Sequence, residues 1–274
     1  MSEPNRIDRC FAALKSRNEV ALVPFLTAGD PDLDTTRRLL DAASRGGADL
    51  IELGIPFSDP TADGPAIQRA SARAIEYGVS LPKILSMVAE FRRSSDVPIV
   101  LFGYYNPIFH YGPERFARDA KAAGADGILV VDLPPEEADE LYEPARAEGL
   151  RMIFLLAPTS DESRVRAVMK KAGGFVYFVS MTGVTGSKSI DTGHVRGRIA
   201  ALREHCDLPI GVGFGITTAE EAATVASFAD AVVVGSAIVR MVEENAAAPD
   251  LAGRVEEFVR ALKEATRNPT TAAA

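Results

Sequence analysis

The chain has 274 residues, of which 47% are hydrophobic and 25% are charged, a composition typical of an ordinary soluble globular protein. Its formal net charge of -8 argues against a nucleic-acid partner and against an anionic membrane surface. No segment approaches the roughly 18 consecutive apolar residues that a spanning helix needs, and the first residues form no apolar signal segment, so we expect a cytoplasmic protein that acts on a small molecule.

Short runs rich in Val, Ile and Leu alternate along the chain with amphipathic helical stretches, which is typical of βα units around a parallel sheet. The predicted strands comprise residues 21–27, 49–54, 98–103, 127–131, 152–156, 176–180, 209–214 and 231–235. The predicted helices between them include residues 34–45, 113–123, 135–148, 161–171 and 218–226. Because eight such units and ~250 residues are usual for a TIM barrel, we favour a single (β/α)8 barrel over an open doubly wound α/β sheet.

Two helical segments are added to the eight units. Ile7, Phe11 and Leu14 share one face of a predicted leading helix, which we expect to cover the bottom of the barrel. A helical insertion over residues 66–77, after the second strand, precedes the expected helix at 81–95. Residues 1–266 are therefore predicted to form one TIM-barrel domain, followed by a frayed tail at 267–274 that is rich in Thr and Ala.

Cysteine and histidine are too few and too scattered to predict a metal or redox site. Cys10 and Cys206 lie far apart in sequence, so we expect free thiols and no disulfide framework. The three histidines, His110, His194 and His205, form no His-x-x-x-His or carboxylate-flanked cluster in the sequence. We therefore expect a reaction without a metal.

A carboxylate stands at the end of an apolar strand, in the run Leu50-Ile51-Glu52-Leu53. Burying an unpaired charge costs several kcal/mol or shifts its pKa, so Glu52 requires an explanation. Asp59 and Asp63 follow in a loop punctuated by Pro and Gly, and this arrangement favours acid/base chemistry by Glu52 and Asp63. The alternative is a structural Glu52 that is paired with a buried arginine.

Glycines cluster after the last three predicted strands, at the end of the barrel where TIM-barrel active sites lie. Glycine lets backbone N–H groups approach an anion, and a helix N-terminus adds partial positive charge. Since the cluster has no dense Lys/Arg run, we predict a site for one monophosphate. The alternative is that the glycines serve only the strand-to-helix turns. The predicted phosphate-binding residues are Gly186, Gly213, Phe214, Gly215, Gly235 and Ser236.

Apolar and aromatic side chains at or near the strand ends predict a slot for a flat apolar group. Ordinary filling of the barrel core explains the Phe and Leu residues of this set equally well, whereas tyrosine hydroxyls need a polar partner. The predicted slot residues are Phe25, Phe102, Tyr104, Leu129 and Tyr177.

Motifs along nearly the whole chain resemble those of the tryptophan synthase alpha subunit family. They are Glu-Leu-Gly-Ile-Pro-Phe-Ser-Asp-Pro at 52–60, Ala-Asp-Gly-Pro at 62–65, Gly-Tyr-Tyr-Asn-Pro at 103–107, Asp-Leu-Pro at 132–134, Ser-Met-Thr-Gly-Val-Thr-Gly at 180–186 and Gly-Phe-Gly-Ile at 213–216. The resemblance implies cleavage of indole-3-glycerol phosphate into indole and glyceraldehyde 3-phosphate. It also implies an α2β2 assembly with a beta subunit that carries pyridoxal phosphate and receives the indole, while this chain holds no cofactor.

The resemblance also implies roles for individual residues. It makes Glu52 the proton shuttle and sets Asp63 beside the indole N–H, where its charge would stabilise the cation formed when C3 is protonated. We expect Glu52 to have the more apolar setting and to be the more readily protonated of the two. The implied partner-facing loop contains Ser58, Asp59, Pro60 and Thr61, and the implied lid loop contains Thr185 and Lys188.

Two positions depart from the family pattern. Thr61 stands where a hydrophobic residue is usual, and Met181 stands where Arg or Leu is common. Both segments meet substrate or partner in the family, so these departures bear on coupling to the partner. Other aldol-cleaving barrels use a Schiff-base lysine or a metal, but the sixth predicted strand contains no lysine, and we expect a lid role for Lys188.

Three other functions are compatible with parts of this pattern. A stand-alone indole-releasing lyase would have the same active site without a beta partner. A non-catalytic subunit would bind phosphate ligands and regulate its partner, although the presence of Glu52 and Asp63 argues against it. Other phosphate-binding barrels, such as phosphoribosylanthranilate isomerase, share the fold, and a fold alone does not determine function.

Overall fold

The computed structural model describes residues 3–179, 192–213 and 215–267. The strands within them form one parallel sheet in the order β5-β4-β3-β2-β1-β9-β8-β7-β6. Only Phe154 separates β5 from β6, so these two are halves of one barrel strand, and the sheet closes on itself there. The strands are β1 (Ala21–Thr27), β2 (Ile51–Gly54), β3 (Ile99–Gly103), β4 (Gly127–Val130), β5 (Arg151–Ile153), β6 (Leu155–Leu156), β7 (Val176–Val179), β8 (Ile210–Gly213) and β9 (Ala231–Val234).

This strand order confirms the predicted TIM barrel. Apart from β5 and β6, which continue one another, each strand pairs in parallel with the next one along the chain. The first strand pairs with the last, where Ala21 lies opposite Ala231. An open doubly wound sheet has a point where the strand order reverses, and this sheet does not follow that pattern. The fifth predicted strand is interrupted at Phe154, whose carbonyl accepts the backbone N–H of Tyr177 at 3.0 Å.

Helices follow the strands and surround the barrel. Within the described residues, no helix is long and apolar enough to cross a membrane. The helices are α1 (Arg6–Ser16), α2 (Leu33–Gly46), α3 (Pro65–Glu76), α4 (Leu81–Arg92), α5 (Tyr105–Tyr111), α6 (Pro113–Ala123), α7 (Asp139–Ala147), α8 (Glu162–Met169), α9 (Thr192–Arg203), α10 (Ala219–Ala226), α11 (Ser236–Glu244) and α12 (Leu251–Arg267).

Most predicted helices are present, with differences at their ends. Helix α6 has the predicted bounds, whereas α7 begins at Asp139 and α4 ends at Arg92, so both are shorter than predicted. Residues 135–138 form turns ahead of α7, and the carbonyl of Ala138 accepts the first helical hydrogen bonds. Helices α5 and α12 were not predicted.

The strands are apolar on both faces because helices cover the outside of the barrel and side chains fill its inside. Outward-facing Leu22, Leu53 and Ile128 pack with the helices in the main core cluster. The inward-facing side chains form a second cluster, which contains Ala21, Val23, Leu50, Val100, Leu129, Ile153, Phe175, Ala231 and Val233. The site described below lies on top of this inner cluster.

Helix α1 closes the bottom of the barrel, as predicted. Its residues Ile7, Phe11 and Leu14 are buried and belong to the inner cluster. The rings of Phe11 and Phe175 have centroids 5.7 Å apart. The Asn5 side chain caps the helix by accepting two backbone N–H bonds from its first turn. One apolar face and one cap thus place α1 under the barrel.

Helix α12 packs against α2 and ties the later part of the chain to the barrel. Lys263 is only 4% exposed, and its Nζ lies 2.6 Å from the Asp49 carboxylate. Arg267 belongs to α12, and its Nε lies 3.6 Å from the Glu19 carboxylate. The predicted frayed tail therefore does not include Arg267, because this residue is helical. Residues 268–274 lie outside the described residues.

Candidate active site

Glu52 lies inside the barrel near the carboxyl end of β2. In the sheet register it is opposite Phe25 of β1 and Val100 of β3, and it is only 1% exposed. Among the described residues, its Oε1 atom has no hydrogen-bond partner. Burial raises the pKa of the Glu52 carboxyl from 4.5 to about 8, and no charged partner in the described part of the chain opposes the rise. A structural pairing with arginine therefore finds no support here.

Asp63 lies in the loop between β2 and α3, just before α3 begins at Pro65. Its side chain is half-buried. Burial raises the pKa of the Asp63 carboxyl to about 6, and a hydrogen bond from the Tyr104 hydroxyl opposes the rise. The same hydroxyl accepts the backbone N–H of Ala62 at 2.9 Å, so Tyr104 holds the loop against the end of β3.

The two carboxyls differ in the expected direction. With a pKa of about 8, Glu52 is mainly protonated at neutral pH, whereas Asp63, with a pKa of about 6, is mainly ionised. Environments that push two pKa values apart are typical of a general acid beside an anionic stabiliser. The arrangement can therefore give a proton and stabilise a positive charge at the same time.

Phe25 and Phe102 form an apolar wall next to Glu52. Their ring centroids lie 5.3 Å apart at an interplanar angle of 81°, which is an edge-to-face contact. Gly54 makes room for this wall, because a Cβ there would lie 2.5 Å from the Phe25 ring. Leu129 is fully buried opposite Phe102 and belongs to the inner cluster, so its position agrees with the core-filling alternative.

Tyr177 extends from β7 toward the two carboxyls. The barrel interior raises the pKa of its hydroxyl well above the usual range, and the charges of Glu52 and Asp63 add to this effect. The Tyr177 side chain passes close to Gly213 of β8, where a Cβ would lie 1.9 Å from the hydroxyl oxygen. Space for Tyr177 is therefore sufficient reason for a glycine at position 213.

The first turn of α11 offers backbone donors at the same end of the barrel. Gly235 is the N-cap of α11, and the helix itself begins at Ser236. The first N–H groups of a helix lack partners inside it, which suits this turn to an anion. Gly215 has φ +46°, in the left-handed region that favours glycine, and a Cβ there would meet open space. Backbone conformation thus explains Gly215.

Five residues that the sequence singles out lie outside the described residues. They include both members of the predicted lid loop and two members of the predicted phosphate site. The five are Met181, Thr185, Gly186, Lys188 and Phe214. Their predicted roles stay predictions.

The predicted partner-facing loop lies next to Asp63. Ser58, Asp59 and Thr61 are exposed, and Pro60 is half-buried. The Ser58 hydroxyl donates to the Asp59 carboxylate at 2.7 Å, and the Thr61 N–H donates to the Asp59 carbonyl at 2.9 Å. These bonds organise the loop locally and leave the Thr61 side chain facing solvent.

Sequence reasoning missed two side chains that support the acid loop. Gln68, near the start of α3, donates from Nε2 to the Asp63 carbonyl at 2.9 Å. The Phe57 ring lies 5.1 Å from the Tyr104 ring, centroid to centroid. Gln68 lies only five residues after Asp63, at a predicted helix start, and this spacing could have indicated the contact. The contact of Phe57 depends on the conformation of a loop, which sequence periodicity does not predict.

Thiols and metal-ligand groups do not add to this site. Cys10 and Cys206 are free, as predicted, and burial raises the pKa of the Cys10 thiol to about 12. Cys10 lies in α1 and packs against the inner cluster, at the opposite end of the barrel. In the described residues, no group of three or more His, Cys, Asp or Glu side chains could hold a metal ion.

Known proteins match the chain along almost its whole length. The family model of the tryptophan synthase alpha chain matches residues 11–269. The tryptophan synthase alpha chain of Geobacter sulfurreducens is 56% identical over 264 residues, covering 96% of this chain and 100% of the relative. That of Desulfosudis oleivorans is 51% identical over 263 residues, covering 96% and 99%.

Solved structures share the fold. The tryptophan synthase subunit alpha of Legionella pneumophila is similar with a TM-score of 0.92 and 39% identity, covering 97% of this chain and 100% of that one. A chain of tryptophan synthase from M. tuberculosis in an aminoacrylate-bound form has a TM-score of 0.86 and 32% identity, covering 96% and 100%. The likeness therefore extends over the barrel and both additions to it.

We expect Glu52→Gln to stabilise the protein increasingly as the pH rises from about 5 to about 9. Folding raises the pKa of Glu52 from 4.5 to about 8, so the folded state binds more protons than the unfolded chain in this window. The wild type therefore loses stability as the pH rises, and glutamine removes that loss. Urea unfolding should show a gain for the variant that is roughly 4 kcal/mol larger at the upper pH. A gain independent of pH would contradict the raised pKa.

Gly213→Ala should destabilise the fold by roughly 1–3 kcal/mol, the usual cost of overpacking. The added Cβ would lie 1.9 Å from the Tyr177 hydroxyl oxygen, so the ring must move. Gly253→Ala in α12 is the matched control, because nothing lies within 4 Å of a Cβ at that position. Urea unfolding compares the two, and equal stabilities would mean that Tyr177 yields without cost.

Proposed function

This chain belongs to the tryptophan synthase alpha chain family, and we propose that it uses Glu52 and Asp63 to cleave indole-3-glycerol phosphate into indole and glyceraldehyde 3-phosphate. The observation that carries the proposal is the Glu52 carboxyl. It is buried inside the barrel with a pKa of about 8, and its Oε1 has no partner among the described residues. Such a carboxyl keeps its proton at neutral pH and has a free oxygen to present to a substrate.

The reaction is a retro-aldol cleavage, and one carboxyl can serve both of its proton transfers. Glu52 gives its proton to indole C3, which leaves the ring system positively charged. Glu52, now a carboxylate, then takes the proton from the hydroxyl on the carbon bonded to C3. The C–C bond breaks, its electron pair restores the aromatic ring, and the hydroxyl carbon becomes the aldehyde. Glu52 ends protonated, so no water, metal or redox partner enters the balance.

Asp63 stabilises the cation that exists between these two steps. Its carboxyl is mainly ionised at neutral pH because its pKa is about 6. A negative charge beside the indole N–H lowers the energy of the ring cation more than that of the neutral substrate, which is the requirement for catalysis. Tyr104 and Gln68 hold the loop that carries this charge.

The rest of the site orients the substrate across the barrel mouth. Phe25 and Phe102 provide an apolar wall for the indole, and Tyr177 limits the slot on the side of β7. The first turn of α11, at Gly235 and Ser236, binds the phosphate through backbone donors. A substrate held at both ends brings C3 to Glu52.

A beta subunit is the partner of this chain. We propose an α2β2 assembly, with the exposed loop of Ser58, Asp59, Pro60 and Thr61 as the contact surface. This chain uses no cofactor, and pyridoxal phosphate belongs to the beta partner, which consumes the indole. We propose the cytoplasm as the location, as for a biosynthetic enzyme. Family membership supports this function over a stand-alone lyase or a non-catalytic regulatory subunit.

Glu52→Gln should lower the turnover number for indole release by at least about 100-fold, because the amide cannot exchange the proton. Binding of the substrate's phosphate should persist, since α11 is unchanged. The measurement is steady-state indole formation from indole-3-glycerol phosphate, with inorganic phosphate protection against heat as the binding readout.

Glu143→Gln on α7 is the control for that experiment. Glu143 is an exposed carboxylate whose partner is Arg146, at 2.7 Å, and neither lies at the barrel mouth. This variant should keep wild-type turnover. Near-normal turnover in Glu52→Gln would disprove the assignment of the proton shuttle.

A cognate beta subunit should co-elute with the chain and accelerate indole release, because docking on a loop next to Asp63 favours its competent conformation. Thr61→Leu should tighten the complex by up to about 1 kcal/mol through added apolar contact, measured by titration calorimetry. Thr217→Leu is the control, since Thr217 is equally exposed but lies in the loop before α10. Fast cleavage without complex formation would identify a stand-alone lyase.

A further inference from the structure

Four charged side chains join the loop after β1, helix α3 and helix α11. We call this set the α3 clamp, and it consists of Asp30, Arg69, Arg73 and Glu243. Arg73 donates from Nε and Nη2 to the two Asp30 carboxylate oxygens at 2.8 and 2.9 Å, and from Nη1 to Glu243 at 2.7 Å. Arg69 donates from Nε and Nη2 to the two Glu243 oxygens, both at 2.7 Å.

The clamp differs from an ordinary surface ion pair. Asp30 is only 3% exposed, and the contacts of both arginines are bidentate, the geometry in which ion pairs are strongest. Hydrogen bonds from Arg69 and then Arg73 lower the pKa of Glu243 to about 2. Glu243 lies in the last turn of α11, where a negative charge opposes the helix dipole, so the arginines also offset an unfavourable placement.

The elements joined by the clamp carry the two ends of the proposed site. Helix α11 begins at Ser236 in the phosphate turn, and α3 begins at Pro65, just after Asp63. Near the start of α3, Gln68 holds the Asp63 carbonyl at 2.9 Å. A shift of α3 would therefore move Asp63 relative to the phosphate.

The apolar contact of α3 leaves such a shift weakly opposed. The buried residues of this contact are Ala66 and Ala70 on α3, Phe25 on β1 and Val239 on α11, and Ile67 of α3 is partly buried against them. Alanine side chains fit many positions along a partner helix, because they have no long side chain to interlock with it. The α3 clamp adds directional bonds to this contact of mainly small side chains, and these bonds favour one position of α3.

We propose that Arg73 is a positioning residue for the cleavage reaction: by binding Asp30 and Glu243 together, it fixes α3 against α11 and so places Asp63 beside the indole N–H. This proposal rests on the proposed function. A displacement of about 1 Å in a catalytic group can cost on the order of 100-fold in rate. The role of Arg73 is therefore kinetic, and it acts through Asp63.

Arg73→Lys tests the proposal. Lysine keeps the positive charge, but its single ammonium cannot form the fork that binds Asp30 and Glu243 together. We expect the turnover number for indole-3-glycerol phosphate to fall about 5- to 20-fold, because Asp63 is misplaced in the transition state. The KM and the Kd of inorganic phosphate should stay within about threefold, since the phosphate turn is untouched.

Two further variants complete the experiment. Glu243→Gln weakens the same clamp from α11 and should show the same split between turnover and phosphate binding. Arg254→Lys is the control, because Arg254 of α12 forms a remote i,i+4 pair with Asp250, the residue before the helix, at 3.0 Å. Its turnover should equal that of the wild type. If Arg73→Lys does not fold, the measurements on Glu243→Gln test the proposal instead.

Three outcomes would overturn the positioning role. The first is a turnover within twofold of the wild type in both clamp variants. The second is a parallel loss of turnover and phosphate binding. The third is failure of both variants to fold, because the clamp would then be only structural. Failure of the proposed function is distinguishable, because the wild type itself would then release no indole. A wild type that releases indole alongside fully active clamp variants contradicts only the role of Arg73.

Discussion

The burial of one carboxyl group inside the barrel determines the protonation state at its active end. The pleat of β2 turns Glu52 inward, opposite Phe25 and Val100, where apolar neighbours replace water. The neutral form of the carboxyl is favoured there, with a pKa of about 8, so the same burial that weakens the fold at high pH supplies a proton donor at neutral pH. Stability at high pH and the proposed role in catalysis are therefore opposed at this residue.

Much of the barrel was predictable because its strands obey one rule. Helices cover their outer face and side chains fill the inner face, so each strand reads as a continuous Val/Ile/Leu run between helical patterns. Helix α5 escaped prediction because it follows β3 almost directly, is only 7 residues long and contains Pro107, which leaves too few turns for a periodicity. Helix α12 follows α11 without a strand between them, so the count of βα units did not require it.

The candidate site could be predicted from the sequence where a residue type is unusual for its predicted surroundings. Glu52 is a carboxylate in an apolar strand, and its burial in the structure agrees with the prediction. Glycines are different, since Gly213 and Gly215 look alike in sequence although one makes room for Tyr177 and the other has φ +46°. The bridge from Arg73 to Asp30 joins residues far apart in the chain, and such contacts leave no periodic signal.

Backbone groups form the proposed phosphate end of the site, whereas side-chain bonds hold the Asp63 end. This difference affects how a partner protein can act on the site. The proposed phosphate end depends on the backbone of α11, which follows β9 of the sheet directly. The Asp63 end depends on side-chain bonds: the Ala62 N–H donates to the Tyr104 hydroxyl, Gln68 donates to the Asp63 carbonyl, and the α3 clamp holds the helix that follows. Segments held by few contacts open at the lowest free-energy cost. A protein that docks on the exposed residues beside Asp63 can therefore alter the placement of the stabilising charge while the phosphate stays bound, so it would change turnover more than substrate affinity.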